Sequence, residues 1–578
     1  MAFKQTYFTD LGRKKALQNE FLIVPEEIRK NQDLLKEVFK FILEEIPLEI
    51  RNNTPLTLTA CRTGTLSPYS LEVQCLLDTC PDAPFHSRDD VIERLNIDLA
   101  TKIFRDAKIE LIGIDESRVE MPLQGSAYAY LKSVAFRISR TPERQEEYLG
   151  PIVRDFKVDF REDAYFEKRN QFWGYLRNLF VAKVVIERSI NRGFKPIVFM
   201  HGPLVRAIGG FTDIFLKKEE AVRVLSLDLG SAEELGPDSY EGDIISKDEY
   251  GEELLRKLHD EEVENVEEIY GSIITRLENS GSDSRLSRLW YKALPMNIRT
   301  GNMIEFEDRE YYPGITIYFW LLRELYDLCK ENEVPLVAVV ENIERATEFV
   351  QYVLPPLLLM SYISDEYYDL PKNIKSIFDK HAAHGVPFDA IVDRIRSRRL
   401  ERDKRDFYQY IFRMIKMLNI TDSVITTNLL NEGEYTTPIQ TYRYVTREIF
   451  QDKLGHGEYG IDNDYRSILQ YYFDPEEKRI LFSYLRTTPL REPIRIEFFD
   501  IYSDYTPIVG ATYLLSLFYP NYGLPIILYY TDKVARTHTN YLRQILEYVL
   551  VDILSGEFRT EDMLRIFKAL SRNFWERG

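Results

Sequence analysis

The chain has 578 residues, 44% of them hydrophobic and 29% charged, with a formal net charge of −18. That length exceeds one ordinary domain, and the composition is that of a globular protein with a sizeable core, not of a disordered chain. A charge of this sign excludes a generic nucleic-acid coat, since phosphate contact relies on Lys and Arg, but it is compatible with a local basic groove on an acidic body.

The first fifteen residues carry charge and no apolar run, so no secretory signal is visible. The longest apolar stretches, Ile315–Leu322 and Tyr352–Met360, are too short to span a bilayer, and Pro355 and Pro356 break the second. No membrane association is expected. Four cysteines, Cys61, Cys75, Cys80 and Cys329, show no zinc-type spacing and are expected to be reduced thiols, which places the chain in the cytoplasm.

In chain order, residues 1–105 form an expected helical N-terminal region, with helical apolar spacing over Ile28–Ile50 and Arg88–Phe104. Ile109–Asp115 reads as a buried strand and Ala127–Ile138 as an alternating one. Tyr165–Asn191 predicts a long helix ended by Gly193, followed by a short strand over Pro196–Met200. Residues 233–268 are strongly acidic and contain an amphipathic run, Glu252–Ile269, suited to a solvated helix face or to an acidic partner-binding insertion. A helix over Ile317–Glu331 and a strand over Pro335–Val340 follow. The run Arg394–Arg405 interleaves Glu401 and Asp403 among its arginines; it suits a solvated helix face, and Arg394, Arg396, Arg398 and Arg399 are the candidates for phosphate contact. Strands at Arg479–Leu485 and Ile494–Phe499 precede an apolar segment, Ile508–Phe518, and a helical region from about Asn540. The alternation of strands and helices predicts an α/β sheet domain over 106–578, with insertions near 215–300 and 360–430.

Three positions stand out chemically. Asp115 closes a buried strand, where a carboxylate is costly unless paired or bound to a cation; it also suits a turn or cap. Glu187 falls on the apolar stripe of the long helix, Trp173, Leu176, Phe180 and Val184, and so either points to a site or reaches solvent at the helix end beside Arg188. His201 ends the strand in PIVFMHG, at the edge where α/β folds build sites, and is a competent ligand or base; a structural turn histidine is the alternative. His381 and His384 lie one helical turn apart without a third ligand, so core or surface histidines are expected there. No P-loop, dinucleotide fingerprint or nucleophile elbow is present, so no nucleotide hydrolysis by the chain itself is expected.

The order of Gly113–Ser117 (GIDES), the helix bearing Glu187, Val198–Val205 (VFMHGPLV), Val334–Asn342, Pro493–Phe498 and Tyr519–Arg536 resembles the NurA family of DNA nucleases, over roughly Ile109 to Leu550. The resemblance implies an RNase H-like mixed sheet flanked by helices. It also implies a metal-dependent deoxyribonuclease, processing ends or single strands in DNA repair or antiviral defence, as a homodimer beside a HerA-type hexameric ATPase. It assigns Asp115, Glu187, His201 and Asp532 as catalytic, the first three as ligands of Mn²⁺ or Mg²⁺, with Tyr519 and Tyr522 as candidates for a family tyrosine. The chain departs from the pattern at His201-Gly202, where the family has Asp-Gly, and at Glu341-Asn342, where it has a Lys nearby. Those departures imply an alternative: a catalytically degenerate adaptor or DNA clamp on the ATPase ring.

Overall fold

The computed structural model describes residues 109–123, 126–138, 146–153, 163–205, 214–225, 247–264, 311–341, 420–441, 477–503 and 505–536, with short pieces between 36 and 44, at 73–75, 296–297 and 302–303, between 343 and 350, and at 472–473. The elements in order are β1 (Val73–Cys75), β2 (Ile109–Leu123), β3 (Ser126–Ile138), β4 (Glu146–Val153), α1 (Asp163–Asn191), β5 (Lys195–His201), β6 (Phe215–Lys217), α2 (Lys218–Val224) and α3 (Lys247–Glu264). Then come β7 (Met296–Asn297), β8 (Asn302–Met303), β9 (Tyr311–Pro313), α4 (Gly314–Asn332), β10 (Leu336–Val340), α5 (Asp422–Leu429), β11 (Glu434–Thr436), β12 (Ile439–Gln440), β13 (Ile480–Leu485), β14 (Ile494–Phe499), α6 (Thr506–Leu517) and α7 (Ile526–Ala535).

Among the described residues, ten strands form one mixed sheet in the order β1-β11-β13-β14-β10-β5-β2-β3-β4, with β12 also on β13. The centre is parallel: β2 pairs with β5 and β5 with β10, in the registers Ile114↔Met200 and Val339↔His201. Antiparallel β14 and β3 flank this trio. Strands β10, β13 and β14 read as near-continuous apolar runs because both faces are covered, as central strands under helices require.

Alternation along the strands divides the core. Ile112, Ile114, Val198, Met200 and Ala338 face α1 and α4. Leu111, Phe199, Val337, Val339, Ile496 and Phe498 face α6 and α7. Helix α1 is buried on nearly every side from Phe172 to Ile186 because it lies between the sheet and α4. It stops where Gly193 takes a positive φ of 80°. On the other face α7 lies directly on β2: a Cβ at Gly113 would collide with the Thr531 hydroxyl. The architecture is thus a mixed α/β sheet with helices on both faces.

The expected strands and helices of this centre are all present, with α1 starting two residues early and β2 running eight residues past Asp115. Helix α3 spans part of the acidic region and pairs with α4 through Lys257–Glu324 at 3.0 Å and through Arg323–Glu261. Within the expected helical N-terminal region, Val73–Cys75 pairs with β11 at the sheet edge. The segments Arg394–Arg405, His381 and His384, and the region from Asn540 lie outside the described residues. Among the described residues, no helix is long and apolar enough to cross a membrane.

Candidate active site

Because β2, β5 and β10 are parallel neighbours, the C-terminal ends of β5 and β10 meet β2 at one level, just past Ile114 where its pairing with β5 stops, and the diverging loops leave a crevice. A cleft of about 350 Å³ opens there, with Asp115, Glu116, His201 and Glu341 among its lining residues. Asp115 is buried, at 4% exposure. Its Oδ1 accepts the backbone N–H of Glu116 at 2.8 Å and lies 3.0 Å from His201 Nδ1. His201 Nε2 lies 3.9 Å from a Glu341 oxygen, and Glu341 in turn binds Arg491 at 2.6 Å. Asp532, on α7, holds Arg536 at 2.8 Å.

The His201 pKa is set by opposing influences. Burial pulls it down, but the hydrogen bond and charge of Asp115, with the charges of Glu341 and Asp532, outweigh burial and raise it to about 9. The ring is therefore an imidazolium at neutral pH, donating Nδ1–H to Asp115. Tyr522 lies in the same field: burial first, then Asp532, Glu341 and Asp115, push its phenol up.

The turn after β5 is held from two strands away. Glu497 on β14 accepts the backbone N–H groups of Leu204 and Val205 at 2.9 and 3.2 Å, and Tyr318 donates to the Leu204 carbonyl at 3.3 Å. Gly202 has φ of 93°, a conformation open to glycine and strained for other residues, and its N–H binds the Val339 carbonyl at 2.8 Å. Glu497 is itself fully buried against Arg495, 2.7 Å away, and Arg495 also binds Glu348 at 2.7 Å.

The far wall comes from the middle of α1, through Tyr175 and Asn178. Asn178 is 4% exposed, and its Oδ1 has no hydrogen-bond partner among the described residues. One turn earlier, Gly174 leaves room for the Glu116 carboxylate, which a Cβ there would strike.

The structure brings Asp115 and His201 into contact, with Asp532 close enough to act on His201 electrostatically. Glu187 is not among the residues lining the cleft. Its carboxylate takes the Lys183 ammonium, one turn back, at 2.5 Å. The reason is directional. The end of α1 is tied to the beginning of β2 by Ser189 donating to Glu110 at 2.7 Å, whereas Asp115 is five residues further along that strand. Glu187 also lies nine residues past Asn178, about 13 Å along the helix. Sequence reading passed over Asn178 because an Asn within an apolar helix has no motif around it. It passed over the role of Glu497 too, although Arg495 and Glu497 at two-residue spacing inside an apolar strand are a legible signal.

The donor types suit a hard divalent cation such as Mn²⁺ or Mg²⁺, but their arrangement does not. Among the described residues, no three His, Cys, Asp or Glu side chains are grouped so as to hold a metal ion. Asp115 is engaged by an imidazolium, Glu341 by Arg491 and Asp532 by Arg536.

No protein-family model matches this chain, and no curated protein does. Solved structures do align with it. The NurA nuclease from Sulfolobus solfataricus is 9% identical with a TM-score of 0.33, over 81% of this chain and 96% of that one. A second NurA structure is 13% identical with a TM-score of 0.32, over 82% and 99%. A NurA bound to dAMP and manganese is 12% identical with a TM-score of 0.31, over 82% and 96%. Values at this level carry no argument about the present chain, whose fold is read from its own sheet and helices.

Proposed function

We propose that this chain is a deoxyribonuclease that hydrolyses phosphodiester bonds at DNA ends or in single strands, with the cleft at the ends of β5 and β10, beside Asp115 of β2, as its active site. The observation that supports this reading most is the buried Asp115–His201 pair, 3.0 Å apart, opening onto an acidic cleft. Asp115 orients and charges the ring, so His201 presents a positive, proton-bearing edge to a bound phosphate, and a positioned imidazolium is a competent general acid. Arg491 and Arg536, on the rim, supply further positive charge. Asp532 and Glu341 complete the field around His201. By the sequence resemblance, a homodimer feeding from a HerA-type hexameric ATPase in the cytoplasm, in repair or antiviral defence, is its proposed setting, with Arg394, Arg396, Arg398 and Arg399 as proposed DNA contacts.

A second reading, a catalytically degenerate adaptor or clamp on that ATPase, is favoured by one observation: the acidic groups are each paired with a cation of the protein instead of being grouped around a shared point. Assays on single-stranded and duplex DNA with Mn²⁺, Mg²⁺ or chelator, with and without the ATPase, separate the two. Cutting by wild type that is lost in Asp115→Asn supports the nuclease. Equal inertness of both proteins in every condition, with ATPase binding intact, supports the adaptor.

A further inference from the structure

The turn joining α6 to α7 gathers aromatic side chains on the surface beside the cleft. Tyr519, Tyr522 and Tyr529 touch one another, with ring centroids 5.0–6.3 Å apart, and Tyr530 adjoins Tyr529 at 5.7 Å. Tyr519 and Tyr530 are 41% and 44% exposed, and Phe518 and Leu490 are 59% and 68% exposed. These four are most of the six exposed large apolar residues among the described ones, so the exposure is concentrated here and is not random scatter.

Cations edge the same surface. Lys533 Nζ stands 4.2 Å from the Tyr529 ring centre, and the Arg536 and Arg491 side chains are 69% and 44% exposed. Arg491 also donates to the Asn521 carbonyl at 2.9 Å, which ties the Leu490 loop to the aromatic turn. The surface reaches the cleft through Arg491, which binds the cleft-lining Glu341, while Arg536 binds Asp532, whose charge acts on His201.

Exposed rings with cations between them are what an unpaired strand needs, because every base offers a face to stack on and every phosphate a charge. A duplex hides its base faces and would use the cations alone. On a chain of net charge −18, the exposed Lys533 ammonium and the outward guanidinium edges of Arg491 and Arg536, whose inner edges hold Glu341 and Asp532, are where a polyanion can approach. We infer that this face is the track on which single-stranded DNA lies as it enters the cleft, bases stacking on Tyr519 and Tyr530 and phosphates meeting Lys533, Arg536 and Arg491. The inference rests on the nuclease reading for its substrate and adds the surface that holds it.

The test is fluorescence anisotropy of the full-length chain, in chelator, with a labelled oligothymidine, the same backbone made abasic, and a duplex of equal length. Wild type is expected to bind the single strand at least about tenfold more tightly than the abasic strand. Tyr519→Ala and Tyr530→Ala should each weaken single-strand binding by roughly tenfold, in the range of one stacked base. Tyr519→Phe and Tyr530→Phe should retain binding, which separates a lost ring from a disturbed fold. Equal affinity for the abasic strand or the duplex, unchanged binding by the alanine variants, or no binding by wild type overturns the inference. So does a sedimentation experiment in which the alanine variants lose self-association and keep DNA affinity, which assigns the face to a second copy of the chain. Ring-dependent binding without cutting in any condition sinks the nuclease reading and leaves the track standing; cutting with ring-independent binding does the reverse.

Discussion

Two charge clusters in this molecule use the same chemistry to opposite ends. On β14, Arg495 is fully buried between Glu348 and Glu497, and beside it Asp422 accepts the Phe349 and Val350 N–H groups and the Tyr484 hydroxyl of β13. At the strand ends, Asp115 and His201 pair within reach of Glu341 and Asp532, but the His201 side chain keeps a quarter of its surface exposed and the cleft stands open beside it. The enclosed cluster spends its carboxylates on backbone and guanidinium, and so holds the protein in one arrangement. The open cluster sits where the sheet ends, with polar edges left toward a cleft. Charge in the interior becomes architecture, and the same charge at a sheet edge becomes available for chemistry. The two are joined through Glu497, which is in the first cluster and fastens the turn of the second.

The largest effect should come from breaking the enclosed cluster. Arg495→Met leaves Glu348 and Glu497 buried without their counter-charge and should cost about 3–5 kcal/mol, read as a fall in the urea midpoint. A melt indistinguishable from wild type would show that the cluster has no architectural weight. In the open cluster, Asp115→Asn should cost less stability than Arg495→Met, at most the His201 pairing of on the order of 3 kcal/mol, while reducing DNA cutting by roughly 10²–10⁴-fold, the range of a lost acid–base pair. If unfolding and cutting change the other way round, the comparison is inverted.

A pH titration sharpens the contrast. His201 has its folded pKa raised from 6.5 to about 9, so its stabilising pairing is fully present below pH about 6.5. It is lost as pH rises through about 9, and amounts to on the order of 3 kcal/mol. Wild type should therefore lose stability over that window and His201→Asn should not, measured as melting temperature against pH. Parallel curves would remove the imidazolium from the site. The smallest effect on cutting is expected at Glu187→Gln, which leaves the buried Lys183 ammonium without its carboxylate at a cost of about 1–3 kcal/mol in stability and should leave cutting unchanged. A loss of cutting there would bring the end of α1 back into the site.

The legible parts were those whose cause is local. The runs IELIGID and PIVFMH contain their own strand signal, and the α1 stripe of Trp173, Leu176, Phe180 and Val184 its own helix signal, so α1 and β5 are legible close to their observed spans and β2 at its start, while its eight residues beyond Asp115 are not. Helix α7 was not read from periodicity: Pro525 precedes a run of β-branched and aromatic residues, and its helicity comes from packing on β2 at Gly113.

The amino-acid sequence established that Asp115 and His201 close buried apolar runs, although only His201 ends its strand, since β2 continues past Asp115 to Leu123. It determined as well that a carboxylate there needs a partner. Which partner it has, only the tertiary structure decided. The parallel pairing of β2 with β5 sets His201 against Asp115, and the return of α1 toward the start of β2 carries Glu187 to the other edge and turns Asn178 to the cleft. Periodicity states which side of an element is buried, whereas strand order and direction state which end of it meets the site, and no residue pattern within one element encodes the direction of its neighbours.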